Sequence, residues 1–497
     1  EHAPARQYSV TTPATLDLSS VVRLSDRLTA DYLEFNAVLP LRVDGGRVEV
    51  ATWMPDVDPQ VIDDLRFVFD AEVDIMAGPE AELRAAIRRV YGDEGITAQG
   101  LIAGLGAEPA ETTSRPDVPL DDLVHLANEA PVVRLVNLLL LEALEARASD
   151  VHLEGYADEL RVRYRIDGVL QDGPVPPAHL AAAIVSRLKI MADLDVAERR
   201  VPQDGRIRLR LQDRPVDVRV STVPVLHGES IVLRLLDKNQ QRVALDGLGM
   251  GEETRRRFED IIRRPHGIVL AAGPTGSGKT TTLYAAVDRI RTGREKILTV
   301  EDPVEYELVG VPQVPVRETV GLTFATALRS LLRQDPDVLL VGEIRDRETA
   351  EIATHAALTG HLVLSTLHTN DASGALIRLV DLGVAPFLVT STIEAVLAQR
   401  LVRVICESCK VAVQPGPAYR GTGCSECRGT GYRGRTGIYE LLVMNDEIRS
   451  ELPRSRDIAE LRVLAERAGL KTLTWDGMRL VREGITTTDE VLRVTRG

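Results

Sequence analysis

Aromatic side chains are scarce in this sequence: 2 Trp, 6 Phe and 10 Tyr make up 4% of 497 residues. Aliphatic side chains must therefore fill the cores, and a stacking platform for nucleic-acid bases is missing. Long apolar runs are missing too. No stretch reaches the roughly 18 residues that identify a membrane-spanning helix. The most apolar segment, residues 132–144, is broken by Arg134, Asn137 and Glu142, the pattern of a buried helix face. The first residues, from Glu1, carry no charged-then-apolar signal pattern. The chain reads as cytosolic, with any membrane association made through a partner. An excess of positive charge is also absent. The net charge is −14, which argues against a nucleic-acid track as main partner, since neutralising phosphates needs a basic surface. The basic residues are nearly all arginine, so a local basic patch is still open.

What is present centres on one stretch. Gly273-Pro274-Thr275-Gly276-Ser277-Gly278-Lys279-Thr280 fits G-x-x-x-x-G-K-[ST]. The apolar run Ile268–Ala272 leads into it, and a helical pattern from Thr281 to Ile290 follows. Strand, glycine loop and helix together make a phosphate site. The loop amides point into one concavity, and the helix N-terminus adds partial positive charge. Lys279 is expected to reach the β- and γ-phosphates and Thr280 to ligate Mg²⁺, with Gly273 to Thr281 as the nucleotide-binding positions.

The length allows about three domains. Residues 1–91 read as a small α+β domain without catalytic character, suited to docking. A helix is expected over 24–29, then a hairpin around Gly45-Gly46, then helices over 59–69 and 79–91. Residues 92–117, rich in Gly, Ala, Glu, Thr and Pro, read as a flexible linker. Residues 118–236 form a second α+β domain. It has helices over 120–146 and 184–194, and hairpins turning at Asp167-Gly168 and around Asp213-Arg214-Pro215. From 237 to 497 apolar strands alternate with helices, which predicts a mostly parallel sheet covered on both faces.

In such sheets ligands sit beyond the carboxyl ends of the strands. Ile297–Val300 is followed by Glu301, Asp302 and Glu305, a cluster fit to orient water or hold Mg²⁺. Val338–Val341 is followed by Gly342 and Glu343, placed to support Mg²⁺ or the attacking water. Leu362–Leu367 is flanked by His361 and His368, either of which could hydrogen-bond a γ-phosphate or serve a structural end. Arg206, Arg208 and Arg210 share a strand face, and Arg206 and Arg219 are candidates to neutralise developing charge; a solvated strand face is the plainer reading.

All four cysteines lie in Cys406-x-x-Cys409 and Cys424-x-x-Cys427, with fourteen residues between the pairs. Two C-x₂-C knuckles are metal spacing. Four thiolates would close a tetrahedral Zn²⁺ site, structural because no coordination position stays open. Two disulfides are the alternative, which a reducing cytosol disfavours.

These residues resemble the secretion ATPases of type II secretion systems, and more broadly the type II/type IV pilus ATPase superfamily. Residues 273–284 are similar to its Walker A motif, 299–306 to its Asp box, 333–346 to its Walker B motif, where Gly-Glu is normal, and 358–371 to its His box. Ser149-Asp150-Val151-His152, residues 202–206 and residues 431–440 match further family segments. The gap between the cysteine pairs is shorter than in many members, which bears on the shape of the element and not on its ligands.

The resemblance implies an α/β chain: a RecA-like ATPase domain, with the zinc insert at 406–427, joined flexibly to a PAS-like domain. It implies a homo-hexamer with ATP between those two domains. Arg206, Arg219, Arg329, Arg333, Arg345, Arg378 and Arg435 would line phosphates or domain and subunit contacts. Residues 1–91 would bind the cytoplasmic part of an inner-membrane secretion protein, beside a platform protein and acidic lipid at the cytoplasmic face. The expected function is an Mg²⁺-dependent ATP hydrolase that powers pseudopilus assembly and protein export. Lys279, Arg206 and Arg219 would act on the phosphates, and Glu301 or Glu343 on the water. The alternative is the extension motor of type IV pili, which shares these motifs. A retraction motor fits less well, because that group lacks the first domain and the cysteines. A nucleic-acid translocase is disfavoured by charge, and a non-hydrolysing scaffold by the intact Lys279, Thr280, Glu301 and Glu343.

Overall fold

The computed structural model describes residues 30–44, 46–54, 59–69, 71–91, 130–211, 214–237, 243–413, 418–455 and 457–496, with isolated positions at 18, 21, 22, 24, 25, 28, 57, 98 and 102. Two compact units emerge: residues 1–142 with 174–187, and residues 143–173 with 188–497.

In the first unit β1 (Val38–Asp44) and β2 (Arg47–Thr52) form the expected antiparallel hairpin, and β3 (Glu72–Ala77) adds parallel to β2. The helices Pro59–Phe69 and Glu80–Val90 each offer an apolar stripe. Ile62, Leu65, Leu83 and Ile87, at three- and four-residue spacing, are buried together with Val48 and Val50 of the sheet. The helix expected over 24–29 lies largely outside the described residues, and the described helix begins at Ala30. Apart from Ala98 and Ile102, the linker over 92–117 lies outside them as well, as do residues 120–129 of the next expected helix, described as Ala130–Glu145. The helix expected over 184–194 runs from Ala181 to Met191.

The second unit holds two large sheets. The first contains β4 (Ala148–Gly155), β5 (Leu160–Ile166), β6 (Val169–Asp172), β7 (Gln203–Leu211), β8 (Arg214–Val225) and β9 (Gly228–Asp237). They pair antiparallel in the order β6-β5-β4-β9-β8-β7, with both expected hairpins present. Alternation divides its faces. Val162, Tyr164, Val218, Val220 and Leu233 are buried, while a set of arginines stands on the opposite face.

The other sheet contains β10 (Gly267–Ala272), β11 (Ile297–Glu301), β12 (Gln313–Pro315), β13 (Val338–Val341), β14 (Leu362–Leu367), β15 (Ile393–Ile405) and, after a two-stranded ribbon β16 (Lys410–Val413) and β17 (Ala418–Gly421), β18 (Tyr432–Val443). Its order is β12-β11-β13-β14-β10-β15-β18, all parallel except β18. Both faces are covered, which is why these strands read as unbroken apolar runs. Ile268, Leu270 and Ala272 pack with the helices Phe324–Leu331, Arg347–Leu358 and Ala372–Asp381. Val269 and Ala271 face the helices Glu252–Ile262 and Lys279–Ile290. Because β10 lies between β14 and β15, with Ala272 opposite both Leu367 and Ala398, the residues that follow each strand meet at one edge.

Candidate nucleotide site

The glycine loop leaves β10 at Gly273 and enters its helix at Lys279. Gly276 (φ 78°) and Gly278 (φ 87°) occupy left-handed backbone that L side chains resist, and a Cβ on Gly278 would stand 2.9 Å from Gln399 Nε2. Gly278 caps the helix without a side-chain acceptor, so the first helical amides keep their donors. The amide of Gln399 donates to Ser277 O at 2.6 Å and ties the loop to β15. Among the described residues the buried Ser277 hydroxyl has no partner.

Lys279 folds back onto its own loop and donates to Gly273 O (2.7 Å) and Pro274 O (2.9 Å). Burial lowers its pKa to about 8; Glu343 acts against that shift and Arg400 adds to it. A cation held on neutral carbonyls is a replaceable arrangement, since a phosphate would be a stronger acceptor.

The two candidate glutamates sit differently. Glu301 is the last residue of β11, opposite Pro315, and its side chain is buried. Oε1 accepts from Thr299 Oγ1 (2.5 Å) and Gln313 Nε2 (3.0 Å), and Oε2 accepts from the Tyr284 hydroxyl. Burial first, then the Glu301 charge, pushes the Tyr284 hydroxyl pKa upward, so it stays a donor. Glu343 lies two residues past β13, after Gly342, and faces Lys279 through the electrostatic coupling just described. Its carboxylate lies between Arg345 Nη2 (2.5 Å) and His368 Nε2 (3.3 Å). Gly342 explains itself by space: a Cβ there would meet Glu301 Cα and Val300 O at 3.3 Å.

Asp302 and Glu305 are exposed, and Asp302 lies 3.8 Å from Arg345. Arg206 and Arg219 are directly opposed on β7 and β8, and Glu305 and Asp302 are the acids that face Arg219. Burial is the main cause of a lowered Arg219 pKa.

His361 is not brought to the loop, which corrects that expectation. It precedes β14, its carbonyl accepts from Gly267 N at the far end of β10, and its Nδ1 lies 2.9 Å from Ala356 O. The length of β14, about 20 Å at the usual rise, separates it from His368. Elsewhere Arg329 pairs with Glu348 (2.5 Å), Arg333 donates to Arg329 O (2.9 Å), and Arg435 lies 3.5 Å from Asp167.

Motif reading missed Gln399, Arg400, Tyr284 and Gln313. Arg400, half-buried beside the loop, donates to Gln399 O (3.0 Å) and Asn370 O (2.8 Å). It thereby joins the turn carrying His368 to the strand that holds the loop.

The four cysteines are free thiols whose Sγ atoms all lie within 4.8 Å of one another. Cys406–Cys424 and Cys409–Cys427 are 3.8 Å apart and Cys424–Cys427 3.7 Å. Four sulfurs at about 2.3 Å from a tetrahedral Zn²⁺ would lie about 3.8 Å apart. Burial tends to raise the Cys427 pKa, but the amides of Cys424 and Gly431, each 3.2 Å from its sulfur, bring it down to about 6. The donor set fits a closed thiolate site.

A mostly parallel sheet with a glycine loop at an inner strand and an acid beyond the next strand but one defines a P-loop nucleotide-binding ATPase. The Type II/IV secretion system protein family model matches residues 125–493, and an MshEN domain matches residues 12–97. The chain belongs to the type II/IV secretion system protein family. It is 51% identical to the type II secretion system protein HxcR of Pseudomonas aeruginosa, over 84% of this chain and 88% of that protein. It is 47% identical to the type II secretion system ATPase E of Vibrio cholerae (84% and 86%) and 41% to the type IV pilus assembly ATPase PilB of Myxococcus xanthus (98% and 89%). Among solved structures it is similar to the pilus retraction motor PilT with bound ADP, with 26% identity, a TM-score of 0.51, and coverage of 73% of this chain and 97% of that one.

Proposed function

We propose that this chain is the hexameric ATPase at the cytoplasmic face of the inner membrane that drives pseudopilus assembly in type II secretion. The observation that carries the reading is Lys279 parked on two loop carbonyls opposite Glu343, beneath helix amides with free donors. The loop amides after Pro274, up to Thr280, and Lys279 hold the β- and γ-phosphates. Thr280 offers its hydroxyl to Mg²⁺, which supplies neutralisation of phosphate charge. Glu343 orients the attacking water, with His368 and Arg345 fixing its carboxylate. Glu301, buried and already accepting from three donors, acts as a structural anchor, while Asp302 and Glu305 form the acidic rim. Arg206 and Arg219 close on the phosphates from the six-stranded sheet. The four cysteines hold a structural Zn²⁺. Residues 1–91 dock the cytoplasmic part of an inner-membrane secretion protein, near a platform protein and acidic lipid.

The pilus-extension alternative has support from the similarity to PilB, at lower identity than the secretion proteins. Phosphate release by wild-type and Lys279→Ala protein tests the core of the proposal, and complementation of a secretion-deficient against a pilus-deficient strain separates the alternatives. A Lys279→Ala variant with wild-type turnover would sink the site.

A further inference from the structure

Strand register places five ionic residues in one row across the six-stranded sheet. Arg165 on β5 is opposite Asp150 on β4, Asp150 opposite Arg234 on β9, Arg234 opposite Arg219 on β8, and Arg219 opposite Arg206 on β7. Directly opposed residues share a face with Cβ atoms about 5 Å apart, and like charges so placed repel. The row sets four guanidiniums against one carboxylate. Asp150 is already shared, 3.0 Å from Arg234 Nε and 3.9 Å from Arg165 Nε, and it also accepts from Ser149 Oγ at 2.8 Å. Among the described residues neither Arg206 nor Arg219 is in an ion pair. The acids facing Arg219 come from the acidic turn at Glu305 and Asp302, beside the phosphate loop's own sheet. Such a row, uncompensated within its sheet, suits an incoming polyanion.

Arg234 differs from its neighbours in how it is held. Asp150, itself nearly buried, takes the Nε, while the side chain remains 56% exposed. The two Nη groups, the edge that grips a phosphate oxygen pair, have no partner among the described residues. We propose that Arg234 is a third phosphate ligand of the arginine clamp, presented by Asp150, and that it contacts the nucleotide's phosphates next to Arg219 when the two sheets close. This rests on the reading of Arg206 and Arg219 as the clamp.

The test uses the full chain and three variants: Arg219→Ala, Arg234→Ala and Arg234→Lys. Lysine keeps the ion pair with Asp150 but spends its ammonium there, with no second donor edge. Steady-state hydrolysis over a range of ATP concentrations, with melting temperature as the control for folding, gives the readout. Both Arg234 variants are expected to lose about tenfold in kcat/KM, with Arg234→Lys melting as the wild type does. Rescue by lysine to wild-type kcat/KM would overturn the proposal and leave Arg234 as a structural partner of Asp150. If Arg234→Ala fails to fold, Arg234→Lys alone decides. If Arg219→Ala is itself fully active, the clamp reading fails first and the proposal falls with it. An impaired Arg219→Ala beside a fully active Arg234→Lys rejects the proposal alone.

Discussion

Replacing each candidate glutamate by glutamine separates two roles that look alike in sequence. In Glu301→Gln, the donors Thr299, Gln313 and Tyr284 lose a charged acceptor in a buried site. Bonds to a charged group contribute about 1.5–3 kcal/mol against about 0.5–1.5 for neutral ones. Allowing for partial re-pairing with the amide, the loss is about 1–3 kcal/mol. At roughly 2–4 °C per kcal/mol for a domain of this size, melting should fall by about 2–12 °C. Turnover measured well below the new melting point should stay within about fivefold of wild type. Glu343→Gln should do the reverse. Its partners are Arg345 and a half-exposed His368, so melting moves little. Losing the group that orients the water should cost about 10²–10⁴-fold in kcat while ATP still binds. Calorimetry and phosphate release on both proteins read the contrast. An inactive but fully stable Glu301→Gln would refute the assignment.

Lys279→Ala should abolish turnover without lowering the melting temperature, because the amine is charged below about pH 8 and burying that charge already costs the fold stability; scanning calorimetry beside an ATPase assay checks both. Phosphate binding needs the protonated lysine, so kcat/KM for ATP should be flat with respect to this group below pH 8 and fall about tenfold per unit above it; a level profile to pH 9.5 would contradict the assigned shift. Stripping metal with a chelator, or Cys409→Ser, should lower the melting temperature and expose the thiols to titration, while added Zn²⁺ should restore the chelated wild type; unchanged melting after verified metal loss would rule out a structural ion.

The glycine loop was legible because its chemistry is contiguous: amides, lysine and threonine all come from 273–280. The cysteine element was legible for the same reason, two knuckles with fixed internal spacing. The glutamates were not separable, since each follows a buried apolar run. What divides them is that β11 runs one residue further, placing Glu301 opposite Pro315, and that Tyr284 arrives from the helix behind the loop. Gln399 and Arg400 carry no motif of their own; they reach the loop only through the pairing of β10 with β15, across a sequence separation of 122 residues. The misplacement of His361 was avoidable. In a parallel sheet the ligand end is the carboxyl end, and His361 precedes its strand whereas His368 follows it.

The central claim is that ATP is bound at 273–280 and hydrolysed under the control of Glu343. The most direct measurement is a filter-binding assay with γ-labelled ATP on Glu343→Gln and wild-type protein, followed over time. The account predicts that the variant retains intact ATP while the wild type releases labelled phosphate. Equal phosphate release from both proteins would contradict it.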